Sequence, residues 1–269
     1  MRPTNFISST GSNLAGLVWA GNPEHTILLV HGLGSNARTW IRVAELLNAK
    51  GSQVVAYDQR SHGKSERVEA GFDFKTYIAD LQLVIGSVTT APSVTVGQSW
   101  GGNVVIEHAA HHETTTTIGI DGGFIRLADR FPIWEDCAEL LAPPRFTETT
   151  RPAVEGYLRM AHPDWSDTAI DGALGNFEAQ PDGNVRPYLV YDQHIEILRS
   201  LWEHDPAAAL ARVSVPTHAI IARPSLASVV DLRTMGFDDI VLLTGDHDLH
   251  LQQPERVSEL IWGMTTWDL

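Results

Sequence analysis

The 269 residues carry 33 acidic against 19 basic side chains, a formal net charge of −14, with 43% hydrophobic residues and a single cysteine, Cys137. The acidity makes nucleic acid and anionic membrane surfaces poor partners. No apolar run approaches the ~18 residues of a membrane span, and one cysteine excludes a disulfide framework or a thiolate metal cluster.

A chain of this length buries one large core, or a core with a lid-sized insertion. Met1-Arg2-Pro3-Thr4-Asn5-Phe6 lacks the long apolar region of a secretory signal, which fits a cytoplasmic enzyme. Phe6 to Ser9 and Leu14 to Trp19, split by Gly11-Ser12-Asn13, read as an antiparallel hairpin. Ile27 to Val30 reads as a buried strand, followed by a helix around Thr39 to Ala49. Gln53 to Tyr57 is the next strand and Phe74 to Ser87 the next helix; Ser93 to Val96 is a strand with a helix, Asn103 to Ala110, behind it. Thr116 to Ile120, Thr217 to Ile221 and Ile240 to Leu243 complete the strands, and a helix from Pro254 to Trp262 follows. Short apolar strands alternating with helices mean a mostly parallel sheet covered on both faces. The rhythm breaks between Phe124 and Ala211. That stretch is helical and turn-rich, with turns at Pro143-Pro144 and Pro181-Asp182-Gly183-Asn184. It reads as a cap folded over the carboxyl ends of the strands. The expected organisation is therefore a core over 1–123, a helical cap over 124–211 and the rest of the core over 212–269.

Chemistry gathers in the loops after these strands. Gly97-Gln98-Ser99-Trp100-Gly101-Gly102 joins a strand directly to a helix, the layout that forces a serine hydroxyl out on a sharp turn between glycines. Such a hydroxyl needs a base. His247 follows the last strand in Gly245-Asp246-His247-Asp248-Leu249-His250, with His250 the rival. A carboxylate should fix the imidazole's tautomer. Asp121, at the end of Thr116 to Ile120, is the best placed, while Asp205, Asp231, Asp246 and Asp248 stay open. The amides of Leu33, in His31-Gly32-Leu33-Gly34-Ser35, and of Trp100 are candidate oxyanion donors. Gly32, His31, Trp40 and Trp134 are candidate pocket residues, although His31 also reads as a brace for its loop. Asp58-Gln59-Arg60-Ser61-His62-Gly63-Lys64-Ser65 reads as scaffolding, and His111-His112-Glu113 as a solvated helix end. The phosphate-binding and dinucleotide-binding glycine patterns are absent from this sequence.

Four motifs in order, each after its own strand, make the chain resemble the α/β-hydrolase fold family, in its cap-bearing esterase, lipase and peptidase-like branch. They are His31-Gly32-Leu33-Gly34, Asp58 to Ser65, Gly97 to Gly102, and Asp246 to Pro254. The resemblance implies an eight-stranded, mostly parallel sheet with a helical cap inserted after the sixth strand. It makes Ser99 the nucleophile, His247 the base and Leu33 an oxyanion donor. The expected partner is a small molecule with an acyl or carbonyl group, most simply a carboxylic ester, and the chemistry requires no metal or organic cofactor. Many relatives carry the acid after the strand that follows the cap. Here Ala222 to Ser228 holds no Asp or Glu, which favours Asp121. A serine at the elbow argues against the epoxide and halide chemistries that use aspartate there. The Ser-Trp-Gly-Gly elbow looks like that of proline iminopeptidases. Alternatives are carbon–carbon bond hydrolysis of a diketone-like substrate, a haloperoxidase-like side activity, and a non-catalytic ligand-binding protein that kept the fold.

Overall fold

The computed structural model describes residues 1–223, 229–265 and 267. The segment 224–228, most of the stretch read as lacking a late acid, lies outside them.

Ten strands are described in chain order: β1 (Arg2–Ile7), β2 (Asn13–Trp19), β3 (Asn22–Val30), β4 (Ser52–Tyr57), β5 (Val94–Gln98), β6 (Thr116–Ile120), β7 (Phe177–Ala179), β8 (Val185–Pro187), β9 (Thr217–Arg223) and β10 (Asp239–Thr244). Eight form one sheet in the order β1-β2-β4-β3-β5-β6-β9-β10. The pairs β1–β2 and β2–β4 are antiparallel; every pair from β4 to β10 is parallel. The eight-stranded sheet is the one expected from the sequence, and so is its antiparallel hairpin, but the first strand runs over Arg2–Ile7 rather than Phe6 to Ser9, where Ser9 and Thr10 already turn.

The central strands are continuous apolar runs because both their faces are covered. In β3, Ile27, Leu28, Leu29 and Val30 are all fully buried. Leu28 and Val30 pack with Val55, Tyr57, Trp100 and Val104, whereas Ile27 and Leu29 pack with Trp40, Val54, Val94 and Ile118. The strand's period of two thus divides one hydrophobic run between two cores. Helix Trp100–Ala109 lies on the first core, and helices Ile41–Asn48 and Pro254–Met264 pack on the second.

Between β6 and β9 the chain leaves the sheet and forms the cap. Its longest helices are Arg151–Ala161 and Tyr191–Glu203, with Asp167–Leu174 between them. The cap is not wholly helical. β7 and β8 pair as a small antiparallel hairpin around the turn of Pro181 to Asn184, where Gly183 has φ of +84°. Asn103, on the helix behind the elbow, holds the cap's entry and exit. Its Oδ1 accepts from the amides of Gly123 (2.9 Å) and Ile125 (3.3 Å), and its Nδ2 donates to the Ile125 carbonyl (2.8 Å) and His204 Nδ1 (3.1 Å).

Candidate active site

β5 ends at Gln98, and helix Trp100–Ala109 starts two residues later. Ser99 spans the gap with φ 52° and ψ −121°, a conformation most side-chain-bearing residues avoid. The turn survives because its neighbours lack a Cβ. A methyl on Gly97 would strike the Gly101 backbone, and one on Gly101 would strike the carbonyls of Val30 and His31. The Ser99 amide donates to the Ile120 carbonyl at 2.9 Å, so the elbow is also hung from the adjacent strand.

Asp121 occupies the next strand end. Its amide donates to the Ile220 carbonyl at 2.8 Å, and its backbone is held at φ 41°. Its two carboxylate oxygens divide their work: Oδ1 accepts from the Ala222 amide at 3.1 Å, and Oδ2 accepts from His247 Nδ1 at 2.6 Å. The His247 side chain is 52% exposed while Asp121 is only 12% exposed. This bond puts the ring proton on Nδ1 and leaves a lone pair on Nε2. Burial pushes the His247 pKa down, but the Asp121 hydrogen bond and the carboxylates of Asp248, Asp121 and Asp246 outweigh it, and the net shift is upward. Among the described residues no hydrogen bond joins the Ser99 hydroxyl to this ring. Both nevertheless line one cavity.

The loop after β3 faces the elbow. The main-chain N–H groups of Leu33 and Trp100 have no acceptor among the described residues. Buried histidines hold this loop still. The Gln59 amide donates to His31 Nε2 at 3.0 Å, which leaves the proton on Nδ1 to donate to the Gly32 carbonyl at 2.8 Å. Burial drags the His31 pKa down to about 4, so the ring is neutral. His62 Nε2 accepts from the Gly34 amide at 3.2 Å, and Asp58 accepts from the amides of Ala37 and Lys64. Beneath them Arg60 and Asp80 form a fully buried ion pair at 2.7 Å. The segment after β4 is therefore scaffolding for the loop after β3.

Ser99 and His247 open on a cavity of about 240 Å³. The core supplies Gly32, Leu33, Gly34, Ser35, Thr39, Gln98, Asp248 and Leu251; the cap supplies Leu158, His162, Trp165, Ala173 and Asn176. Wider grooves of about 630 and 790 Å³ lie around Thr217 and along helix Phe74–Val88, and neither includes Ser99 or His247. Among the described residues no group of three or more His, Cys, Asp or Glu side chains is placed to hold a metal ion, and no helix is long and apolar enough to cross a membrane.

A family model described as the alpha/beta hydrolase family matches residues 27–260, a span that begins within β3 and holds the rest of the sheet after it, the cap and every residue of this site. The chain belongs to that family. Sequence relatives are similar over limited stretches. A non-heme chloroperoxidase of Streptomyces lividans is 28% identical over 39% of this chain and 38% of its own length. A putative non-heme chloroperoxidase of Synechocystis sp. is 39% identical over 30% of this chain and 29% of its own. These matches thus span well under half of either relative. A serine hydrolase-like protein of Danio rerio is 24% identical over 92% of this chain and 83% of its own. Among solved structures, a thioesterase domain from the curacin biosynthetic pathway superposes with a TM-score of 0.78 at 23% identity, covering 97% of this chain and 100% of that one. At that identity the likeness is one of fold.

Within this alpha/beta hydrolase, Gly32 and Leu33 line the cavity, whereas three residues expected in the pocket lie elsewhere. His31 is fully buried behind the loop it braces. Trp40 is fully buried in the core, its ring 4.4 Å from that of His250. Trp134 sits at the start of a cap helix against Trp202, 5.9 Å between ring centroids, and does not reach the cavity. In each case core or cap packing takes up the aromatic surface. The rival base, His250, is buried, neither of its nitrogens has a hydrogen-bond partner among the described residues, and burial pulls its pKa down to about 3. Of the rival acids, Asp205 caps helix Pro206–Leu210, Asp231 lies on helix Val229–Met235, Asp246 meets the cap, and Asp248 accepts from Gln98 Nε2 at 3.3 Å. His111 pairs with Glu107 at 3.0 Å on the outside of its helix. The cap's contribution, His162, Trp165 and Asn176, was not foreseen. A helical pattern in the insertion carries no sign of which residues will face the sheet.

Proposed function

We propose that this chain is a serine hydrolase that cleaves a carboxylic ester, or a related acyl bond, of a small molecule through an acyl-enzyme. Neutral His247 takes the Ser99 proton on Nε2 as Oγ attacks the carbonyl carbon. The developing oxyanion is received by the N–H groups of Leu33 and Trp100. Asp121 holds the ring's Nδ1–H and stabilises the imidazolium, which then protonates the departing alcohol. Water attacks the acyl carbon as His247 takes its proton, and the imidazolium returns that proton to Ser99 Oγ as the acid leaves. The observation that carries the reading is the 2.6 Å bond from His247 to Asp121, beside a cavity that His247 shares with Ser99. At about 240 Å³ the cavity is below the ~300–1,000 Å³ usual for drug-sized ligands, which favours short acyl and alcohol parts.

Two assays test this. A fluorophosphonate should label Ser99 stoichiometrically, and p-nitrophenyl acetate and butyrate should turn over with wild type but not with Ser99→Ala. Equal rates for the two proteins would remove Ser99 from the mechanism. The chloroperoxidase matches favour one second reading, a haloperoxidase-like activity on the same residues. It calls for peroxide-dependent halogenation of an organic substrate that Ser99→Ala abolishes.

A further inference from the structure

The cavity is flanked by two imidazole–carboxylate pairs, and the acyl-transfer reading uses only one. His247 rests on Asp121 from the core side. From the cap side His162 rests on Asp246, Nδ1 to Oδ2 at 3.1 Å. The Asp246 carboxylate accepts at both of its oxygens. Oδ2 also takes the Trp165 indole N–H at 3.3 Å, and Oδ1 takes the Asp248 amide at 2.9 Å. The arrangement dictates the tautomer of His162, because a carboxylate that already accepts two other N–H groups can only accept from Nδ1–H. One face of the ring is covered by Trp165, stacked at 3.8 Å with 15° between planes. The remaining polar atom, Nε2, has no hydrogen-bond partner among the described residues, and the residue lines the cavity that holds Ser99 and His247. A ring held by Nδ1 and by one face turns Nε2 toward whatever fills the space.

We propose that His162 is a specificity-determining residue: its Nε2 accepts a hydrogen bond from a hydroxyl or N–H group carried by the substrate away from the bond being cleaved. The inference rests on the serine hydrolase reading above. It narrows the substrate class to small acyl compounds bearing such a donor, hydroxy esters being the simplest. Asp246 is a positioning residue that sets the tautomer and tilt of the ring, and Trp165 holds the ring's face. Because Asp246 directly precedes His247 in the chain, the same carboxylate ties the cap's roof to the loop that carries the base.

The test separates binding from turnover. In Ser99→Ala, methyl 3-hydroxybutyrate and methyl butyrate are titrated while the imidazole nitrogens are followed by NMR, the His162 signals being assigned by their loss in His162→Gln. The hydroxy ester should bind on the order of tenfold more tightly and move the His162 Nε2 resonance. His162→Gln in the same background should remove the preference. Asp246→Asn should weaken it and alter the ring's tautomer signature, which a merely structural carboxylate would leave unchanged. Circular dichroism and thermal unfolding of His162→Gln and Asp246→Asn that match the parent protein guard against misfolding. Equal affinity for the two esters, or binding of neither, overturns the proposal. Failure of fluorophosphonate to label Ser99 in a protein that still discriminates between them would sink the acyl-transfer reading alone.

Discussion

His247 and Asp121 meet at 2.6 Å across 126 positions of sequence. Each residue stands at the carboxyl end of its own strand, and the strands β6, β9 and β10 run side by side. The parallel register therefore brings the two strand ends together, and the bond completes the approach. It also ties the pKa of the ring to the carboxylate.

Asp121→Asn should leave the fold intact and lower kcat by about 10³–10⁴, because the amide cannot hold the ring with its proton on Nδ1. Circular dichroism and steady-state ester hydrolysis measure the two halves of this statement. A loss smaller than tenfold would mean that another carboxylate orients His247.

The pH profile follows from the same bond. The base must be neutral, and the His247 pKa lies above the ordinary 6.5 because its carboxylate neighbours outweigh burial. Activity should rise with pH through an apparent pKa above 6.5, and Asp121→Asn should move that limb to lower pH. A limb below 6.5 in wild type would contradict the assignment of the base.

Gly101→Ala should lower activity and stability together. The added methyl meets the carbonyls of Val30 and His31, which belong to β3 and to the loop that carries Leu33. A destabilisation of about 1–3 kcal/mol is expected from overpacking of this kind. Thermal unfolding and fluorophosphonate labelling of Ser99 read the two effects, and an unchanged labelling rate would show that the elbow tolerates the shift.

Stability should fall as the solution is acidified from pH 7 to pH 5. Burial lowers the pKa of His31 and His194 to about 4 and of His108 and His250 to about 3, so these rings stay neutral in the folded chain but gain protons once unfolded below 6.5. The unfolded state binds more protons in this window, and stability present above 6.5 is lost as pH falls toward the folded values. Each ring that stays neutral gives up about 2 kcal/mol at pH 5. His250→Leu, which removes a buried ring with neither nitrogen hydrogen-bonded, should flatten the slope of urea-unfolding free energy against pH; an unaltered slope would refute this account of its role.

Breaking the ion pair under the loop after β4 should be costly. Asp80→Asn leaves the fully buried Arg60 guanidinium without its carboxylate, and a loss of about 3–5 kcal/mol in urea unfolding is expected. A loss below ~1 kcal/mol would mean that its other acceptors, the Ala70 carbonyl and the Ser9 hydroxyl, suffice to hold Arg60.

The parts of the fold readable from sequence are those written in neighbouring residues. Val94 to Gln98 runs straight into Ser99 and its glycines, so strand, turn and helix start are encoded within ten positions. Asp121 and His247 were legible for a similar reason, each at the end of an apolar strand. His31, Trp40 and Trp134 were expected in the pocket because they are near it in sequence, but burial decides where a large side chain points, and burial is a property of packed elements.

The sequence by itself determined a buried, mostly parallel sheet and a sharp strand-to-helix turn at Ser99, because hydrophobic run length and glycine placement act over a few residues. Tertiary structure alone decided what roofs the cavity. His162 and Trp165 reach Asp246 across 84 and 81 positions, respectively. Contacts at that range depend on how a cap of modest helices settles on the strand ends, and the cap's amphipathic pattern says only that its helices are buried on one face.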